Sequence, residues 1–172
     1  MDINKERTVA FTGHRNLPVG EKLVELKKMI SNEIETAISE GYDTFLNGSA
    51  VGFDLLVLEL LIKRTKMISF KDRKRIKVIV CIPFEGQADK YTEFERKKYF
   101  ELHGKSDEAI MLATKYHKDC FKNRNQFMVD NSSKLIAYYN GGVRSGTGQT
   151  VRMAEKQQLN IINLYEKVLA EM

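Results

Sequence analysis

Three short stretches of the chain combine glycine with polar and basic side chains as anion binding requires: Thr12-Gly-His-Arg15, Asn47-Gly-Ser-Ala-Val-Gly52 and Gly141-Gly-Val-Arg-Ser-Gly-Thr-Gly148. Glycine lets the backbone come close to a ligand, so that N–H groups point at phosphate oxygens while a following helix dipole favours negative charge. Each charge-assisted hydrogen bond of this kind contributes about 1.5–3 kcal/mol, and several together hold a nucleotide. The candidate ligand contacts are Thr12, Gly13, His14 and Arg15 in the first stretch, and Asn47, Gly48, Ser49, Gly52 and the following Asp54 in the second. The third supplies Gly141, Gly142, Arg144, Ser145, Gly146, Thr147 and Gly148. Arg15, Arg144 and Arg152 are of the type that clamps phosphate bidentately, although a single loop arginine is more often ordinary surface.

Other chemistries find less support. The G-x-x-x-x-G-K-[ST] phosphate loop is absent, and Gly13 stands alone where a dinucleotide dehydrogenase would carry G-x-G-x-x-G. Asp54 suits contact with a ribose hydroxyl or a helix cap equally well. Glu59, on an otherwise apolar stretch, reads as a buried ion pair with Arg or His as readily as a catalytic carboxylate. His14 could polarise a ligand, whereas His103 and His117 have no accompanying ligand set; no metal and no cofactor is expected. Only Cys81 and Cys120 are present, and Cys81 lies in the apolar run Ile76–Ile82, where a buried thiol is the ordinary reading; no disulfide or metal role is expected.

These loops need a scaffold that brings them to one edge. Thr8–Thr12, Thr44–Leu46, Ile76–Ile82, Glu108–Thr114 and Lys134–Tyr139 read as strands, with Asn160–Leu164 as an edge strand. Apolar positions at helical spacing predict a helix over Glu21–Glu40 with Gly41 as its stop, and further helices over Leu55–Ile62, Ala88–His103, Phe121–Asn131 and Gln149–Gln158, with a short one from Tyr165. Strands alternating with helices predict an α/β Rossmann-like three-layer fold, its sheet mostly parallel and covered on both faces. In such a sheet ligands bind beyond the carboxyl ends of the strands, where all three glycine stretches fall.

Length and composition set outer bounds. The 172 residues fit one domain, and 42% hydrophobic with 30% charged residues describe a folded globular chain. No apolar run is long enough to cross a bilayer and the start lacks a signal peptide's apolar core, so the cytoplasm is the expected compartment and no membrane partner is expected. A net charge of +5 favours an anionic partner, yet 23 acidic residues are interleaved with the basic ones. The basic stretch Lys63 to Lys77 has no aromatic stacking platform beside it and reads as a solvated helix end and linker. Nucleic acid is therefore ranked last among the partner classes.

The opening Val9-Ala-Phe-Thr-Gly-His-Arg15, the Asn47-Gly-Ser-Ala-Val-Gly-Phe-Asp54 loop with Glu59 beyond it, Asn123-Arg-Asn-Gln-Phe-Met128 and the Gly141–Thr147 loop together resemble the SLOG superfamily and its YpsA-like group. That group is related to the LONELY GUY phosphoribohydrolases and the Smf/DprA proteins. The resemblance implies a Rossmann-like fold, nucleotide or ADP-ribose-like ligands and homo-oligomers. Against the hydrolases' R-K-x-x-M pattern, Arg124 matches the first position with Met128 at the right spacing. Against G-G-x-G-T-x-x-E, Val143-Arg-Ser145 replaces one residue and Thr150 stands where glutamate belongs. Cleaving a ribosyl–base bond calls for a carboxylate, which Thr150 does not supply. The expectation is a noncatalytic sensor or sequestering protein for a nucleotide-derived small molecule; the alternative is a nucleoside monophosphate hydrolase with a relocated carboxylate. Arg124 and Asp54 are the candidate catalytic pair, with Glu155 a further carboxylate.

Overall fold

The computed structural model describes residues 2–67 and 76–170. The chain alternates β1 (Thr8–Gly13), α1 (Glu21–Ser39), β2 (Thr44–Asn47), α2 (Phe53–Lys66), β3 (Lys77–Ile82), α3 (Glu93–Lys105), β4 (Glu108–Met111), α4 (Cys120–Asp130), β5 (Lys134–Tyr138), α5 (Gly146–Lys156), β6 (Asn160–Asn163) and α6 (Tyr165–Ala170). The six strands form one sheet in the order β4-β3-β2-β1-β5-β6, every neighbouring pair parallel. The expected Rossmann-like α/β fold is thus present, with an all-parallel sheet and β6 at one edge.

Strand side chains alternate between two cores, as the pleat demands. Val9, Phe11, Phe45, Val78, Val80 and Ile136 pack under α1, α2 and α6, while Ala10, Leu46, Ile79, Cys81, Leu135 and Ala137 pack under α4 and α5. The α1 stripe of Leu26, Ile30, Ile34, Ala37 and Ile38 is buried, and Gly41 at φ 100° ends the helix in a conformation that favours glycine. Burying each large aliphatic chain of this stripe contributes about 1.5–3 kcal/mol, so Ile30→Ala would cost about 2–5 kcal/mol.

Among the boundaries that depart from the sequence expectation, three show a clear physical cause. Helix α3 begins at Glu93, not Ala88, because Thr92 caps it: its side chain accepts from the Glu95 N–H while Glu95 reaches back to the Thr92 N–H. Strand β4 stops at Met111 because pairing with β3 ends where Ile82 meets Pro83. Helix α5 begins at Gly146, so Gly146, Thr147 and Gly148 belong to the helix and not to the loop. The Lys63–Lys77 stretch is helical through Lys66, and the linker reading falls on residues 68–75, outside those described. No described helix is long and apolar enough to cross a membrane.

The chain proceeds outward from β1 through β2, β3 and β4, then returns to the other side of β1 as β5. The sheet therefore reverses direction of growth between β1 and β5, and a crevice opens beyond their carboxyl ends.

Candidate functional site

A cleft of about 820 Å³ occupies that crevice. It brings together Thr12, Gly13, His14 and Arg15 after β1, Asp54 at the start of α2, Arg124 in α4, and Ser145, Gly146 and Thr147 at the start of α5. Asn47, Gly48, Ser49, Gly52, Gly141, Gly142, Arg144 and Gly148 do not line it.

The reason lies in how the second loop satisfies itself. Asn47 accepts from the Ser49 N–H at 2.8 Å and donates to the Asp54 carbonyl at 2.8 Å, while the Ala50 N–H donates to Asp54 Oδ2 at 3.3 Å. The Gly48 carbonyl accepts from Gln87 Nε2 at 2.9 Å and from Arg124 Nη1, and the Ser49 carbonyl accepts from the Tyr91 hydroxyl at 3.0 Å. Ser49 sits at φ 57°, uncommon for a residue with a side chain, and is held there from both sides by Asn47 and by His103 Nε2, 2.8 Å from its hydroxyl. The glycines serve close packing. A β-carbon at Gly48 would lie 2.6 Å from Arg124 Nη1, and one at Gly52 2.2 Å from the Arg15 carbonyl oxygen.

What this loop delivers to the cleft is Asp54. The residue is 6% exposed and its Oδ1 has no hydrogen-bond partner. Burial pushes its carboxyl from the ordinary 3.8 up to about 6, against the lowering influence of the Arg124 charge and the Ala50 N–H. Arg124 is 4% exposed; its Nε donates to Asn125 Oδ1 at 2.8 Å and its guanidinium lies 5.9 Å from the Phe121 ring centre. The cleft floor thus sets a guanidinium beside a carboxyl that burial pushes up to about 6.

The opposite wall is the start of α5. Ser145 caps the helix by accepting from the Gly148 N–H at 2.9 Å, and its carbonyl accepts from the Gln149 N–H at 3.0 Å. The N–H groups of Gly146 and Thr147, the first two of the helix, have no intrahelical partner and border the cleft. Thr150 is fully buried in the same helix and donates its hydroxyl to the Gly146 carbonyl at 2.9 Å. Between the walls, His14 Nε2 accepts the Asn140 N–H at 2.9 Å, which leaves the ring proton on Nδ1 in the neutral form.

Several lining residues were not anticipated: Lys22, Tyr91, Phe121, Asn125, Tyr138, Asn140 and Tyr165. Tyr138 ends β5, and strand ends of a parallel sheet are where ligands sit; Phe121 stands one helical turn before Arg124. Tyr91 carried no local signal. Glu59, weighed as a buried pair with Arg or His or as a catalytic group, is partly exposed, pairs with Lys98 at 2.6 Å and Lys63 at 3.8 Å, and lies outside the cleft. Burial alone would raise its carboxyl, but the Lys98 hydrogen bond and the Lys98 and Lys63 charges outweigh it and hold the group below its ordinary value. Among the described residues no three of His, Cys, Asp and Glu are grouped to hold a metal ion. Cys81 and Cys120 are free and buried, and burial pushes the Cys81 thiol up to about 12.

Known proteins share this architecture. The chain is 24% identical over 140 residues to a UPF0398 protein of Streptococcus mutans, covering 77% of this chain and 76% of that one. DNA processing protein A from Helicobacter pylori, whose structure is described for its single-stranded DNA binding mode, superposes with a TM-score of 0.60 at 18% identity, over 92% of this chain and 64% of that one. The Streptococcus pneumoniae DNA processing protein A gives 0.59 at 17% identity, over 91% and 49%. The chain thus spans less than two thirds of either DNA processing protein. The Helicobacter likeness corrects the ranking of nucleic acid as the last partner class. That ranking rested on the interleaved charges and the missing stacking platform, whereas the likeness to a protein described for single-stranded DNA binding covers 92% of this chain. A protein-family model described as the YspA SLOG family matches residues 9–167, nearly the whole length, and the chain belongs to that family.

Proposed function

We propose that the cleft binds a nucleotide or a nucleotide-derived ligand such as an ADP-ribose-like molecule, and holds it without turnover, as a sensor or sequestering protein would. The observation that carries this reading is the pairing of opposite demands across one cleft: two unpartnered N–H groups at the start of α5 and an unpartnered, buried carboxylate oxygen on Asp54. A phosphate supplies acceptors to Gly146 and Thr147, and a ribose hydroxyl supplies a donor to Asp54 Oδ1. The volume lies within the range of small-molecule sites. The exposed Phe121, in edge contact with Phe84 at 5.8 Å, offers a ring face for a base. Thr150 supports binding over chemistry, because the position that carries glutamate in the related hydrolases is here committed to the core.

One observation favours a second reading. A carboxyl at about 6 beside a fixed arginine is suited to general acid–base work near neutral pH, so a ribosyl hydrolase with Asp54 in place of the glutamate has a physical basis. Calorimetric titration with AMP and ADP-ribose, followed by chromatography of the mixtures, separates the two. Saturable binding with unchanged ligand supports the first. Release of free base, abolished by Asp54→Ala and Arg124→Ala, establishes the second, and absence of binding to either compound refutes both.

A further inference from the structure

A second groove, of about 460 Å³, lies between α2 and α3 and shares no lining residue with the cleft. Five lysines and two glutamates line it, a net charge of three. Both glutamates are engaged: Glu59 by Lys98 and Lys63, and Glu101 by Lys105 at 2.9 Å. Among the described residues Lys66 and Lys97 carry no ion pair. The groove's floor is Ile62 and Leu102, already buried at 4% and 6%, and its rim carries Phe94, 77% exposed.

From this we infer that the α2–α3 groove is a binding site for single-stranded nucleic acid, its lysines tracking the phosphodiester backbone and Phe94 stacking a base. A cationic groove with an exposed aromatic ring is the combination that holds single strands without reading their sequence. The fold sets Phe94 of α3 on the rim beside Lys63 and Lys66 of α2. An acidic amphipathic peptide, the other polyanion to consider, needs an apolar strip for its anchor residues, and the buried floor offers none beyond Phe94. On α3, Phe94, Lys97, Lys98, Glu101 and Lys105 recur at helical spacing along one face about 17 Å long, an extended track and not a point site.

The test is fluorescence anisotropy of labelled dT15 and U15 with the full chain at 50 to 200 mM salt, with a fifteen-residue polyglutamate as competitor. Neutralising about three phosphates on a single strand gives a log–log salt slope of about −2, so affinity is expected to fall roughly twentyfold over this range. Lys66→Glu/Lys97→Glu is expected to abolish binding, and the milder Lys66→Ala/Lys97→Ala to flatten the slope to about −0.7. Phe94→Ala is expected to cost about fivefold or more with the slope unchanged. Preference for dT15 or for U15 identifies the natural source, and either supports the site. No binding at 50 mM salt overturns it, as does affinity within twofold of wild type in the charge-reversal or Phe94→Ala proteins, or displacement by polyglutamate as effective as by unlabelled oligonucleotide.

Discussion

Replacing Asp54 with asparagine isolates the electrostatic cost at the centre of the cleft. In the unfolded chain this carboxyl titrates at its ordinary 3.8, and in the fold at about 6. A group that binds its proton more tightly when folded destabilises the fold as it ionises, so stability falls as pH rises from about 4 to above 6. The displacement amounts to about 3 kcal/mol once Asp54 is fully ionised. At pH 5 the folded-state carboxyl is about nine-tenths protonated and at pH 7.5 almost fully ionised, so this one group removes about 1 kcal/mol or slightly more over that interval. Urea unfolding of wild type and Asp54→Asn at both pH values reads the effect as a difference between proteins. That comparison cancels His103, whose buried ring is held down to about 4 and contributes the opposite slope. The asparagine protein should gain on wild type by about 1 kcal/mol between pH 5 and 7.5. A difference that stays constant with pH would show that Asp54 does not titrate differently in the fold, and would remove the reasoning for a poised carboxylate.

Other substitutions test the supports of the site. Arg124→Ala leaves the Gly48 carbonyl and Asn125 Oδ1 each without this donor and Asp54 without its countercharge, and should cost about 3 kcal/mol in urea unfolding. Gly52→Ala meets both a φ of 94° and the Arg15 carbonyl oxygen at 2.2 Å; it should destabilise by more than about 2 kcal/mol, whereas Gly141→Ala at φ 86° with open space around it should cost only about 1. The neutral, Ser49-bonded His103 makes a contribution fully present above 6.5 and lost as pH falls towards 4, opposite in sign to that of Asp54; His103→Gln should therefore gain stability relative to wild type as pH is lowered from 6.5 to 4 in urea unfolding.

The scaffold was largely legible because hydrophobic periodicity is local. Alternating strand runs and the α1 stripe placed every element, and the errors fell where a cap or a pairing partner decides the end: Thr92 at α3, Pro83 beside β4, Ser145 at α5. The site was legible only in part. Thr12 to Arg15 and Ser145 to Thr147 follow strands whose carboxyl ends must face a ligand, and they line the cleft. The second glycine loop reads identically in sequence, yet its N–H and carbonyl groups are consumed by Asn47, Gln87 and Tyr91, partners up to about forty residues away that no local pattern reveals. Arg144 and Gly142 failed to reach the cleft for a plainer reason: the loop they occupy is solvent-exposed and turns back on Asn140 and Tyr139. The meeting of Lys66 on α2 with Lys97 and Phe94 on α3 is likewise tertiary, and no local pattern shows it.

On the proposed function, a ligand phosphate sits on the open N–H groups of α5. Amide-resolved NMR of the ¹⁵N-labelled protein, titrated in parallel with AMP and with adenosine, reads that contact at the two amides themselves. Saturable shifts of the Gly146 and Thr147 amides with AMP but not with adenosine, while Gly141 and Gly142 stay in place, are the predicted result. Shifts confined to other residues, or the same shifts with adenosine, would contradict it.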